Sequence, residues 1–349
     1  MSETASSAPP RRRRLTRLAA GCAVLAASIG YVVAQQSTGS DAPGCTVRAS
    51  GGDGGPVYEL SNEQAANAAT ISAVGTTRGL PERAVTIALA TALQESALRN
   101  IRHGDRDSLG LFQQRPSKGW GTPEQIMDPV YSAGKFYDGL VEVPGYSRLP
   151  LTVAAQKVQR SGFPQAYAKH EPDAALLSAA LTGRAGAALR CVPGGDGKAG
   201  DPARVRSELV RAFGPAVLPK GAGGADTGTG AARGRSTDGD GGGDGGMVVT
   251  VPVRGPAPGA ADRSGGASGG GRTPGAGAAG TGAADERSDD RGWEVAHWAV
   301  ARAERLRIAE VSYGGRVWRS GEAEGGWREA GAGGSGARTA ETVRIRLAR

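Results

Sequence analysis

Cysteine and histidine are scarce in this chain, three of each among 349 residues. No paired CxxC motif occurs, which removes the usual cysteine-based zinc modules. Aromatic residues are thin as well, and no RNP-like aromatic run is present, which argues against an RNA-recognition sheet. The formal net charge of +8 is modest, and a good part of it is Arg11–Arg14 and Arg17 at the N-terminus. What remains does not cluster into the basic face that nucleic acid requires, so no nucleic-acid partner is expected. In abundance instead are 58 glycines and 20 prolines. The length gives room for roughly two domains, but much of it cannot be core.

The N-terminus reads as a targeting element. After residues 1–14, a basic tail expected in the cytoplasm, comes "LTRLAAGCAVLAASIGYVVA", residues 15–34. A bilayer-spanning helix needs ~20 residues, and flanking arginines keep the N-terminus inside. A single-pass signal-anchor is therefore expected, with the rest of the chain on the outer side of the cell membrane. A cleaved signal peptide ending at Ala34 is the competing reading, but the apolar run is longer than a usual signal core. "LAAGC" resembles a lipobox at Cys22, with apolar flanks of the wrong lengths on both sides.

Cys45 and Cys191 are the only cysteines beyond that segment. In an oxidising compartment an even pair is expected to bridge; the alternative is two unpaired thiols near loop ends. Between them the sequence reads as helices. Ser61–Gln64 is a capping box opening an Ala-rich helix that stops near Gly79. Pro81 starts "PERAVTIALATALQES", Thr122 opens a second capping box, and Asp128 caps "PVYSAGKFYDGL". "LTVAAQKVQR" and "EPDAALLSAALTG" supply two more helices. No convincing period-2 strand is visible in this region, so a mainly α domain is expected over residues 58–191.

One helix poses a question. Ala84–Leu93 is almost entirely apolar, small or Thr, so it has no solvated face, yet it runs into Gln94, Glu95 and Ser96. Burial and the negative end of the helix dipole both favour a protonated Glu95. A carboxyl that keeps its proton near neutral pH is what a general acid at a glycosidic oxygen needs. The plain reading is a glutamate turned outward at a helix end, supported by Arg99 at i+4.

The stretches that follow weigh against that plain reading. "QES", "GDRDSLGLFQQRPSKGW" and "AAQKVQRSGFPQAYAKHE" together resemble the goose-type lysozyme and soluble lytic transglycosylase superfamily, and "GLFQQRPSKGWGTPEQIMDP" is similar to its wall-associated members in high-GC Gram-positive bacteria. The resemblance covers roughly residues 60–189. It implies a lysozyme-like fold that cleaves the MurNAc–GlcNAc β-1,4 bond of peptidoglycan with one carboxylate and no cofactor, leaving 1,6-anhydromuramyl ends. Carried over by position, Glu95 is the acid and base. Ser96, Phe112, Gln113, Trp120 and Gln156 form the implied substrate-binding set, Ser96 holding either the loop or the substrate's acetamido group. The chain departs from the family where many members carry Ala-Tyr-Asn and it has Ala155-Gln156-Lys157. Lys157 beside the carboxyl would lower its pKa, the wrong direction for an acid. Asp105 and Asp107 are candidates for a second carboxylate or plain solvated loop residues.

Residues 35–57 read as a linker and 192–219 as an extension of the helical region. Residues 220–291 are Gly-rich and cannot bury enough apolar surface to offset backbone entropy. Within them, 247–253 alternates like a strand. The tail, 292–349, reads as a small α/β unit: a helix in "GWEVAHWAVARAERL", two strands joined at Gly314-Gly315, and a period-2 run "TVRIRLAR". It resembles a C-terminal domain of actinobacterial wall enzymes related to zinc D,D-carboxypeptidases, on "AHWAVARAERLRIAEVSYGGRVW". Those relatives end in a His- and Asp-bearing strand where this chain has Thr339–Ile345, so no metal is expected. His297 reads as a helix-surface or core residue. The whole is expected to be a membrane-anchored peptidoglycan transglycosylase whose partners are glycan strands and the membrane. The alternative is an inactive wall-binding or scaffold protein, recruiting other wall enzymes.

Overall fold

The computed structural model describes residues 43–49, 54–160, 164–218, 247–253, 279–322, 326–331 and 341–349. The segment expected to span the membrane lies outside these residues, and no helix among the described ones is long and apolar enough to cross a membrane. The described residues all fall within one compact unit.

The helices begin where their caps say. In α1 (Asn62–Thr77) the Ser61 hydroxyl accepts from the Gln64 N–H while the Gln64 side chain accepts from the Ser61 N–H. Thr122 and Gln125 repeat the arrangement at α3 (Pro123–Ile126), and Asp128 caps α4 (Pro129–Val141) through the N–H groups of Val130 and Tyr131. The central helix is α2 (Glu82–Ser96). All ten residues from Ala84 to Leu93 are buried, as expected for a helix with no polar stripe. Around it stand α1, α4, α5 (Leu151–Gln159), a 3-10 turn at Pro164–His170, and α6 (Glu171–Leu181). A further helix, α7 (Pro202–Phe213), packs on α1.

The expectation of a strand-free domain is corrected here. Three short strands, β1 (Gly44–Arg48), β2 (Val57–Leu60) and β3 (Leu189–Val192), make an antiparallel sheet in the order β2-β1-β3. None exceeds five residues, too short for alternation to stand out, and β1 finds β3 only across the whole helical region. Cys45 faces Cys191 in that register, and the two form a disulfide. Sheet and disulfide together fasten the two ends of the helical region.

The tail folds back onto this body. Helix α8 (Ala279–Ala301) and the short α9 (Ala303–Leu306) lead into β5 (Ile308–Tyr313) and β6 (Arg316–Arg319), joined at Gly314-Gly315 with positive φ at both, as a two-residue hairpin demands. With β7 (Arg328–Glu329), β8 (Thr342–Leu347) and β4 (Val248–Pro252) they form a five-stranded antiparallel sheet ordered β4-β8-β5-β6-β7. The period-2 reading of β8 holds: Val343, Ile345 and Leu347 are buried, whereas Arg344 is exposed. Helix α8 lies against α1, α6 and β3, so the buried residues of body and tail join in a single hydrophobic core.

Polar groups are sealed into that seam. His297 donates from Nδ1 to the Ala180 carbonyl at 2.8 Å, and the indoles of Trp318 and Trp327 donate to the carbonyls of Cys191 and Leu189 at 3.2 and 2.8 Å. Glu294 takes Arg291 at 2.7 Å and the Thr76 hydroxyl. His297 is thus a core residue, and burial drives its pKa down to about 4, keeping it neutral.

Candidate functional site

The C-terminal end of α2 is where the body opens. Helix α2 stops because Ala97 and Leu98 both turn left-handed, at φ 51° and 59°. For non-glycine residues that conformation costs of order ~1–2 kcal/mol each. The structure holds it in place: Leu98 is fully buried, Gln64 Nε2 donates to the Ala97 carbonyl at 2.8 Å, and Asn67 Nδ2 to the Leu98 carbonyl at 2.8 Å. Two side chains of α1 thereby hold the end of α2 just beyond Glu95.

Glu95 is half-buried and lines a cavity of about 1170 Å³. That exceeds the ordinary range for a small-molecule pocket and suits an extended ligand. The Tyr167 hydroxyl, from the 3-10 turn, donates to Glu95 Oε1 at 2.6 Å. Gln159, at the end of α5, also hydrogen-bonds the carboxylate and donates from Nε2 to the Phe112 carbonyl at 2.7 Å. Burial raises the Glu95 pKa above the ordinary carboxylate value, against the lowering effect of these two hydrogen bonds. Arg99 is exposed and forms no ion pair with Glu95, so the outward-facing arrangement does not occur.

The other residues singled out from the sequence separate on inspection. Ser96 is nearly buried and its hydroxyl donates to the Leu111 carbonyl at 2.8 Å, tying the helix end to the Gly110–Gln113 turn. Gln113 lines the cavity, its amide held by Gly110 and Ser108. Trp120 lies on the cavity wall. Phe112 departs from the role the resemblance implies: its ring is fully buried, stacks on Phe136 with centroids 4.7 Å apart, and is not on the cavity lining. Gln156 is likewise displaced from the assigned role. It is half-buried on α5 and off the cavity lining, while Lys157 and Gln159 of the same helix are on it. The core takes Leu151, Ala154, Ala155 and Val158, which sets the rotation of α5.

The carboxylates near the cavity also differ. Asp107 is pinned by Arg115 at 2.8 Å and by the Ser117 N–H at 2.9 Å, which hold its pKa well below the usual range. Asp105 lines the cavity with its side chain 92% exposed, and Glu142 lines it exposed. Of the three carboxylates on the lining, Glu95 alone is withdrawn from solvent. Lys157 does not contribute to the Glu95 shift. Tyr167 is the residue that sequence reasoning missed, although it stands within the stretch "AAQKVQRSGFPQAYAKHE" on which the resemblance was based.

No group of three or more His, Cys, Asp or Glu side chains able to hold a metal occurs among the described residues. A family model described as "VldE, C-terminal domain" matches residues 268–342. The match falls on the tail, over α8 and β5 to β7, and leaves the cavity side uncovered. No curated protein matches the chain.

Proposed function

We propose that the chain is a peptidoglycan-cleaving lytic transglycosylase, anchored to the outer face of the cell membrane by residues 15–34. The observation that carries this reading is Glu95: a half-buried carboxyl with a raised pKa, oriented by Tyr167 at 2.6 Å, opening onto a cavity large enough for a glycan. The helical body would be of the lysozyme-like type, and the tail a metal-free relative of the carboxypeptidase-like domains.

In this mechanism protonated Glu95 donates its proton to the glycosidic oxygen as the C1–O bond of the muramic residue breaks. The carboxylate left behind stabilises the oxocarbenium charge. It then takes the proton from the sugar's own 6-hydroxyl as that oxygen bonds C1, closing the 1,6-anhydro ring and returning Glu95 to its acid form. No second carboxylate is consumed, in keeping with the exposed Asp105 and the arginine-held Asp107. Tyr167 keeps the carboxyl aimed. The cations along the cavity, among them Lys118, Lys157 and Arg160, suit a glycan carrying carboxylate-bearing peptides.

The test is incubation of the intact chain with purified sacculi and analysis of released sugars. Anhydromuropeptides from wild type and none from Glu95→Gln support the proposal. No release from wild type, with sacculus binding retained, favours the alternative of a wall-binding protein with an inactive cleft.

A further inference from the structure

A second cavity lies away from the cleft, between α7 and the corner where α8 passes into α9. It holds about 70 Å³ and is lined by Arg204, Glu208 and Arg211 of α7, by Arg302 and Arg305, and by Thr70 of α1. Four guanidiniums there face one lining carboxylate. Two of them are partly satisfied. Arg302 donates to Glu208 at 2.6 Å and to the Thr70 hydroxyl at 2.8 Å; Arg211 pairs with Asp128 at 2.5 Å and with Glu208 at 3.8 Å. Arg204 and Arg305 have no ion pair among the described residues.

Arg302 gives the pocket its character. It is only 6% exposed, and its Nε is buried without an acceptor. Burying a charge with an unmet donor is costly unless something supplies the missing acceptor. Burial lowers the Arg302 pKa, Glu208 opposes that, and the like charges of Arg305 and Arg211 add to it. The cations therefore converge closely enough to repel one another, and the two carboxylates, Glu208 and Asp128, leave a surplus of positive charge over the four guanidiniums.

We propose that this pocket binds a phosphoryl group, as inorganic phosphate or the terminal group of a phosphate monoester. A cavity of about 70 Å³ is small beside the cleft and suits a group of phosphoryl size. The guanidinium fork matches a tetrahedral oxyanion with two parallel N–H···O bonds, and a dianion meets the surplus of positive charge better than a single carboxylate does. The bound group would bridge α7 to the α8–α9 corner, joining body to tail.

The experiment is calorimetric titration of the intact chain at constant ionic strength with inorganic phosphate, glycerol 3-phosphate and acetate. Saturable one-to-one phosphate binding is expected, with acetate weaker by roughly tenfold or more. Arg204→Gln with Arg305→Gln, both exposed and free of ion pairs, should weaken phosphate binding by roughly tenfold or more while leaving the melting temperature without phosphate unchanged. Arg316→Gln with Arg328→Gln, an equal charge change on the tail sheet, should leave binding intact. Glycerol 3-phosphate binding alongside phosphate marks a reader of monoesters; phosphate alone marks a site for the free ion. Absence of saturable binding, equal binding of acetate, or equal loss in both double variants overturns the proposal.

Discussion

Glu95 and Glu294 make an instructive pair. Burial raises the pKa of both, yet they sit in opposite settings. Glu294, on α8, is 4% exposed, closed in by Arg291 and the Thr76 hydroxyl, and lines neither of the two cavities described. Glu95 is half-buried, held on one side by Tyr167 and Gln159, and open on the other to 1170 Å³. A shifted pKa therefore does not by itself mark a working acid. Access on one side and a fixed orientation on the other distinguish the cleft from the seam.

The strongest way to test that contrast is to remove each proton in turn. Glu95→Gln is expected to lower glycan cleavage by ~10²–10⁴-fold, the usual worth of general acid catalysis, with the melting temperature held. Glu294→Gln should leave cleavage untouched and cost under about 2 kcal/mol in denaturant unfolding, because the partly exposed Arg291 can turn to water. Equal activity losses in the two variants would erase the distinction between cleft and seam.

The disulfide tests the seam alone. Replacing Cys45 and Cys191 by serine frees a loop spanning 146 positions. Chain entropy puts the loss at up to about 5 kcal/mol. Since β3 also receives the Trp318 indole at Cys191, body and tail should come apart in one transition, measured by urea unfolding followed by tryptophan fluorescence. Two separate transitions would show that the seam does not couple them.

His297 gives the seam a pH signature. Its folded pKa of about 4 lies below the ordinary value of 6.5, so between those values the unfolded chain binds the proton and the folded chain does not. The stability this provides is complete above about pH 6.5 and is lost as pH falls toward 4, by at most about 3 kcal/mol. His297→Asn, whose amide can still donate to the Ala180 carbonyl, should flatten stability over that window. An unchanged slope would assign it to other groups.

The smallest effect belongs to Tyr167. Its hydrogen bond lowers the Glu95 pKa, so Tyr167→Phe should raise it further and move the alkaline limb of the cleavage pH profile upward. The rate is expected to drop roughly tenfold through lost aim. A fall in rate with the limb unmoved would place the role of Tyr167 elsewhere than on the carboxyl.

Much of this molecule was legible residue by residue. Ser61, Thr122 and Asp128 announced their helices; the apolar run Ala84–Leu93 announced the central one; Gly314-Gly315 and the alternation of β8 announced the tail hairpin and strand. The cysteine pair was readable from parity. Such signals act within a turn or two of the chain, where spacing and side-chain chemistry suffice. The sheet of β1, β2 and β3 was not legible, because strands of four and five residues carry too little pattern and the partners of β1 on β3 lie far along the chain, 146 positions for Cys45 and Cys191.

At the site the division is sharper. The sequence by itself put a glutamate at the end of a helix without a solvated face, where burial favours the protonated form. Tertiary structure alone decided that Tyr167, 72 positions later, would orient it, that Gln159 rather than Gln156 would reach it, and that Phe112 would turn its ring into the core. It also decided that α8 would bury His297 and Glu294 against the body. The reason is physical: helix propensity and capping are settled between near neighbours, whereas burial, cavity access and the partner of a buried polar group depend on which distant surfaces close over it.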